Sequence, residues 1–260
     1  MSFERAGSVV NVHGVDIEVD IRGSGAPILI LPSEEAWEAD LPFIDELAKT
    51  RKVVIAYPPG FGRSARPDWV THPDDHAYVM LDLVERLDLR DAALVGFSLG
   101  GWIAAEMATK DDSRFSKLIL VDAFGVKLGG PTDVDIQDVW VQHPAKVAAL
   151  KWADPEKGVR DFSSWPDAAL TIVARNMESF ARFCWEPYMH NPKLRHRLHR
   201  IGVPTHVIWG EKDGVVTPAY GKAYAGLISG ATFETIAGAG HFPQVEQPAA
   251  FAKALSAALA

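Results

Sequence analysis

The sequence has one cysteine, Cys184. A single thiol cannot close an internal disulfide, so the chain must be held together by burial rather than covalent cross-links. No second thiol or acidic ladder accompanies Cys184, which reads as a structural buried thiol. Basic charge is also scarce: 26 Lys and Arg face 34 Asp and Glu, a net charge of -8. That balance argues against a nucleic-acid partner, because such binders present a basic face. No apolar run is long enough to span a bilayer. The opening Met1-Ser2-Phe3-Glu4-Arg5 lacks the apolar stretch of a secretory signal. The expectation is a cytoplasmic protein that acts on a small molecule, with no membrane association; a homodimer stays open. Internal repeats and low-complexity segments are absent. Apolar residues, by contrast, make up 48% of 260 positions. That is enough for a sizeable core, in one large domain or a core carrying an insertion.

Short apolar strands alternate with helical patterns along most of the chain. Val9-Val10-Asn11-Val12 and residues 15–21 flank His13-Gly14 and read as an antiparallel hairpin, the second strand alternating apolar and acidic side chains. Continuous apolar runs follow at 27–31, 53–56 and 92–95, further strands are expected at 117–121, where Lys117 precedes four apolar residues, and at 204–209, and a last strand at 232–236. Runs of this kind suit strands covered on both faces. Helices are expected at 37–49, where Pro42 complicates the first turns, and at 76–87, 220–227 and 245–259. Between 125 and 200 no comparable strand occurs, and Trp140, Trp152, Trp165 and Trp185 stand among short helical patterns. The reading is an α/β core from 1–124 and 201–260 with a helical lid inserted at 125–200. In a mostly parallel sheet of this kind, ligands sit at the carboxyl ends of the strands.

The chemistry centres on Gly96-Phe97-Ser98-Leu99-Gly100, between the strand at 92–95 and a good helix former beginning at Gly101. Strand, sharp turn and helix are the context that a G-x-S-x-G nucleophile requires. Side chains at Gly96 and Gly100 would collide with the neighbouring helix and strand. Ser98 is then either an outward-facing nucleophile at a helix N-terminus or simply a serine capping that helix. A nucleophilic serine needs a base, and the base needs a carboxylate on its other nitrogen. His241, in Gly238-Ala239-Gly240-His241-Phe242, follows the last strand. Asp213 lies just past the end of the strand at 204–209; Glu211 and Asp122 also sit at strand ends and are rival acids.

These stretches, together with Pro59-Gly60-Phe61-Gly62-Arg63-Ser64, resemble an α/β-hydrolase-fold serine hydrolase. The likeness is to the lidded branch of carboxylesterases, meta-cleavage C–C hydrolases and cofactor-free perhydrolases, and it covers nearly all the chain outside 125–188. It implies an eight-stranded, mostly parallel sheet flanked by helices. It also implies Ser98 as nucleophile, His241 as base and Asp213 as the acid, with no cofactor and no metal. The backbone N–H of Leu99 becomes one oxyanion donor. The family usually has His-Gly after the third strand, whereas Pro32-Ser33-Glu34-Glu35 stands here, and Pro32 has no N–H. Glu34 is the second donor by position. Glu34 and Glu35 at the entrance are expected to repel anionic substrates. Within the resemblance a carboxylic ester is the first expectation, and the lid aromatics, a few of which are expected to line an apolar pocket, suit a small, uncharged or aromatic compound. C–C cleavage ranks second, because Phe97 occupies a place that is commonly polar in the C–C hydrolases. A non-catalytic binding protein of the same fold is the alternative that the Pro32-Ser33 departure supports. Phe97, Trp140, Trp185 and Phe242 are the candidate walls of an apolar pocket.

Two other motifs carry less. Gly60-Phe61-Gly62-Arg63-Ser64-Ala65 fits a dinucleotide fingerprint formally, but Pro67 disfavours the helix that should follow. His190, His196, His199 and His206 have no accompanying cysteine or Glu at metal-ligand spacing.

Overall fold

A computed structural model describes residues 7–260. The first six residues, where the sequence shows no secretory stretch and the expected core begins, lie outside the described residues. Strand β1 (Ser8–Val12) turns into β2 (Val15–Arg22) through His13 and Gly14, whose φ angles of 46° and 89° make the left-handed two-residue turn that suits strand twist. There follow β3 (Ala26–Leu31), α1 (Pro42–Ala48), β4 (Arg51–Ala56), α2 (Pro73–Arg86), β5 (Ala92–Phe97), α3 (Leu99–Lys110) and β6 (Phe115–Val121). After an intervening segment come β7 (Thr205–Gly210), α6 (Pro218–Ala225), β8 (Thr232–Ile236), α7 (Pro243–Glu246) and α8 (Pro248–Leu259).

The eight strands form one sheet in the order β1-β2-β4-β3-β5-β6-β7-β8. β1 and β2 pair antiparallel, β2 runs antiparallel to β4, and every other neighbour is parallel. Alternate residues of the central strands enter two apolar layers. Leu29, Leu94, Leu118 and Trp209 pack on the α2, α3 and α6 side. Ile28, Val95, Ile119 and Ile208 pack with Phe43 of α1 and Phe251 of α8 on the other. This double covering is what the continuous apolar runs require.

The structure departs from the expected elements at prolines and at one acid. Pro42 occupies the first turn of α1, so the helix begins there, and Glu38–Asp40 form a separate 3-10 turn before it. The closing helix divides at Gln247, because Pro248 can open a helix but cannot continue one. In β2 the alternation fails at Glu18, which is buried while Ile21 is exposed. The Glu18 carboxylate accepts from the backbone N–H of Arg63 at 2.7 Å and from its guanidinium at 2.8 Å.

Between β6 and β7 the chain forms α4 (Pro144–Lys151), α5 (Asp167–Cys184) and short 3-10 turns, with no strand. This segment packs on loops that follow β3, β4, β6 and β8. Trp152 meets Trp37 and Phe242, Phe180 meets Phe124, and Asn176 Oδ1 accepts from Gly62 N–H. It therefore covers the carboxyl-terminal edge of the sheet. No helix among the described residues is long and apolar enough to cross a membrane.

Candidate active site

Ser98 joins β5 to α3 with φ 49° and ψ -112°, a conformation that costs an L-residue energy and persists only where its surroundings impose it. Its N–H donates to Val121 O at 2.8 Å, and its carbonyl accepts from Trp102 N–H at 3.1 Å. The two flanking glycines are required by close backbone approach. A Cβ at Gly96 would lie 2.4 Å from Gly100 O, and one at Gly100 would lie 2.2 Å from Leu31 O. The Ser98 side chain makes no capping bond to α3. Its Oγ instead faces His241 Nε2 at 2.8 Å.

His241 sits between β8 and α7. Its ring stacks on Phe124 with centroids 5.1 Å apart and planes 15° from parallel. Nδ1 lies 2.7 Å from Asp213 Oδ2. The other Asp213 oxygen accepts from the N–H groups of Val215 and Val216 at 2.8 and 3.1 Å. An ionised carboxylate only accepts, so Nδ1 carries the proton and Nε2 is left to accept from the Ser98 hydroxyl. All three side chains are buried. Such a chain can draw a proton from the serine oxygen and stabilise the imidazolium that results.

The rival acids take other places. Glu211 is exposed and accepts from Gly238 N–H at 2.9 Å, bracing the loop that leads to His241. Asp122 is buried, and its Oδ1 accepts from Gly210 N–H at 2.8 Å. It joins Asp213 and His241 in a group whose nearest polar atoms all lie within 4.8 Å of one another. Burial and the adjoining Asp213 charge push the Asp122 carboxyl well above the usual carboxylate range, against the Gly210 hydrogen bond. Both ring nitrogens of His241 are already engaged, Nδ1 by Asp213 and Nε2 by Ser98, which leaves neither free to bind an ion. His190, His196, His199 and His206 join no such group among the described residues.

The loop after β3 turns at Ser33–Ala36, with Ala36 N–H donating to Ser33 O at 3.0 Å. Glu34 and Glu35 do not present bare negative charge. Lys151 Nζ lies 3.5 Å from Glu34 and 2.9 Å from Glu35, and Arg160 lies 3.0 Å from Glu35. Burial pushes the Glu35 carboxyl up, but the Lys151 and Arg160 charges prevail and hold it at about 2. Two acids facing two cations remove the basis for repelling anions, and both cations come from the segment between β6 and β7. Farther along, burial pushes the carboxyl of Glu38 up to about 7 against hydrogen bonding from Ser33.

A cavity of about 410 Å³ lies beneath this segment, lined by Glu34, Trp140, Trp152, Phe162, Asn176 and Phe180 among others. Of the four expected pocket residues, Trp140 lines it. Phe97 points to the opposite side of the sheet, against Phe43 and Phe251, because side chains alternate along β5 and the residue before Ser98 faces the α1 and α8 layer. Trp185 is 55% exposed, packs against Trp140 and does not line the cavity. Phe242 is fully buried in a cluster with Trp37 and Trp152. Ser98 and His241 are not among the residues lining this cavity, and the Phe180–Phe124 contact connects its wall to the imidazole.

The sequence matches the alpha/beta hydrolase family over residues 12–254. The chain belongs to the alpha/beta hydrolase family. Within the family it is 27% identical to a 2-hydroxymuconate semialdehyde hydrolase of Pseudomonas sp. (strain CF600), over 95% of this chain and 91% of that protein. It is 28% identical to strigolactone esterase D14 of Arabidopsis thaliana, over 94% of this chain and 96% of that one. The solved meta-cleavage product hydrolase of Pseudomonas fluorescens IP01 superposes with a TM-score of 0.79 at 20% identity, covering 98% of this chain and 97% of that one, which is a likeness of fold. These relatives are hydrolases, and hydrolase chemistry is the activity that membership of this family supports.

Residues that the sequence did not single out also build the site. Glu246 Oε2 accepts from Gly240 N–H at 2.6 Å and Ala153 N–H at 3.2 Å, and Oε1 accepts from Asp154 N–H at 3.1 Å. Phe124 supports the imidazole, and Lys151 and Arg160 neutralise the loop after β3. Each acts across a long stretch of chain, and no local pattern announces it.

Proposed function

We propose that this alpha/beta hydrolase is a serine hydrolase that cleaves carboxylic esters of small, uncharged or aromatic compounds through an acyl-enzyme. The observation that carries the reading is the continuous chain from Ser98 Oγ to His241 Nε2 at 2.8 Å and from His241 Nδ1 to Asp213 at 2.7 Å. In the proposed mechanism Ser98 Oγ attacks the ester carbonyl carbon while its proton passes to Nε2. Asp213 stabilises the imidazolium. The backbone N–H groups of Leu99 and Glu34 receive the tetrahedral oxyanion, with the N-terminal end of α3 adding partial positive charge. The carbonyl re-forms, the C–O bond breaks, and the imidazolium gives its proton to the departing alcohol. Water, deprotonated by Nε2, then attacks the acyl-serine, and the acid leaves as Ser98 regains its proton. The segment at 125–200 serves as the lid, its aromatic residues forming the substrate wall. The charge balance among Glu34, Glu35, Lys151 and Arg160 supports an uncharged substrate.

Likeness to the 2-hydroxymuconate semialdehyde hydrolase over nearly the whole chain favours a second reading, C–C cleavage by the same three residues. A panel of p-nitrophenyl esters of graded length, run beside a meta-cleavage product, separates the two. Ester turnover that is lost in Ser98→Ala is the expected result. Fluorophosphonate should label the wild type and not Ser98→Ala; a wild type that neither labels nor turns over any ester favours a binding protein instead.

A further inference from the structure

Asp122 has no part in the mechanism above, yet its carboxylate is 1% exposed and lies against that of Asp213. Oδ1 accepts from Gly210 N–H, whereas buried Oδ2 finds no donor among the described residues. The titratable groups acting on it most strongly are the acids Asp213 after β7 and Glu246 of α7, and His241 after β8 shares its cluster. Two buried carboxylates in contact cannot both ionise; the pair keeps one proton. Asp213 accepts from His241 Nδ1 and from two backbone N–H groups, all of which favour its charged form. The proton therefore belongs on Asp122, where Oδ2 otherwise lacks a partner. We propose that Asp122 is held as the neutral carboxylic acid and donates its O–H to the Asp213 carboxylate, orienting that carboxylate and moderating its pull on His241. Asp122 is thus a positioning residue that acts through Asp213.

The inference deepens the serine-hydrolase reading and rests on the same side chains, so it is read without turnover. The titration midpoint of the His241 imidazole is followed by NMR in wild type, Asp122→Asn and Asp122→Ala. An asparagine amide donates in place of the acid, so Asp122→Asn should leave the midpoint unchanged. Asp122→Ala removes the donor, leaves Asp213 with more charge to offer, and should raise the midpoint by roughly one unit. An ionised Asp122 predicts the opposite, because both variants would then remove a negative charge and lower the midpoint. A fall in either variant, or no movement in both, overturns the proposal. Should Asp122→Ala not fold, the infrared difference between wild type and Asp122→Asn at neutral pH decides. The carbonyl stretch of a protonated carboxyl should be present in the wild type, and its absence overturns the proposal. Absent fluorophosphonate labelling alongside the expected midpoints would instead count against the hydrolase reading alone.

Discussion

The backbone N–H of His241 donates to the carbonyl of Lys151 at 2.7 Å. One residue earlier, the carbonyl of Leu150 accepts from Gly214 N–H at 2.9 Å. The last carbonyls of a helix have no partner within it. In α4 they are satisfied by the loop that carries the imidazole and the loop that carries Asp213. The segment beneath which the cavity lies thus also ties down the loops that carry Asp213 and His241. Ala149→Pro, at an exposed position of α4, should break the final turn at a cost of about 3 kcal/mol. Ester turnover should fall at least tenfold while the far-ultraviolet circular dichroism of the sheet core persists. Full activity with a disrupted α4 would show that the loops hold their positions unaided.

Glu246 performs the same task from the other side. Its carboxylate accepts from Gly240, Ala153 and Asp154, so one side chain ties the His241 loop to the chain just beyond α4. Glu246→Gln keeps the volume but turns an NH2 group toward a backbone donor and removes the charge. The expected cost is about 2 kcal/mol, read as a melting temperature lower by about 4–8 °C. Turnover should fall with it, since Gly240 adjoins His241.

Asp213→Asn tests the tautomer. Asparagine can present its oxygen to Val215 and Val216 and its NH2 to Nδ1, which forces the imidazole proton onto Nε2, the atom that must receive the serine proton. A drop in kcat on the order of 10⁴ is expected with little change in melting temperature. A loss below tenfold would show that another group, Asp122 foremost, supplies the acid.

Stability should depend on pH through the acids of the loop after β3. Glu38, at about 7 in the folded protein against 4.5 for an ordinary glutamate, binds its proton more tightly when folded. Its contribution is complete below about 4.5 and is lost as pH rises to about 7, a change of a few kcal/mol. Glu35, held at about 2, acts in the opposite sense: its stabilisation grows from pH 2 and is complete above about 4.5. Buried His76, kept neutral down to about 4 by burial despite hydrogen bonding to the His72 and Pro59 carbonyls, adds stability as pH rises from there to about 6.5. The comparison is therefore made against Glu38→Gln. Between pH 4.5 and 7 the melting temperature of the wild type should decline relative to that of the variant. Parallel curves would remove Glu38 from the account.

Much of the architecture is legible locally. The short apolar runs at 27–31, 92–95 and 118–121 read as strands covered on both sides, and they lie in β3, β5 and β6. Gly96 and Gly100 bracket Ser98 because the turn leaves no room for a Cβ, a constraint visible in five residues. Less legible is the side on which a side chain falls. Phe97 adjoins Ser98 in sequence yet faces the other layer of the sheet, and Glu18 breaks its strand's alternation because Arg63, 45 residues away in sequence, offers it donors.

By itself the sequence determined the order of the core strands and most of the helices between them, the sharp serine turn and the positions of His241 and Asp213 at strand ends, since these follow from short-range sterics and hydrophobic periodicity. Only the tertiary structure decided that Ser98, His241 and Asp213 meet within hydrogen-bonding distance. It likewise decided that Asp122 shares their space and that Lys151 and Arg160 offset Glu34 and Glu35. Hydrogen bonds and charge pairs act over a few ångströms, and only folding brings groups from tens to more than a hundred residues apart within that reach.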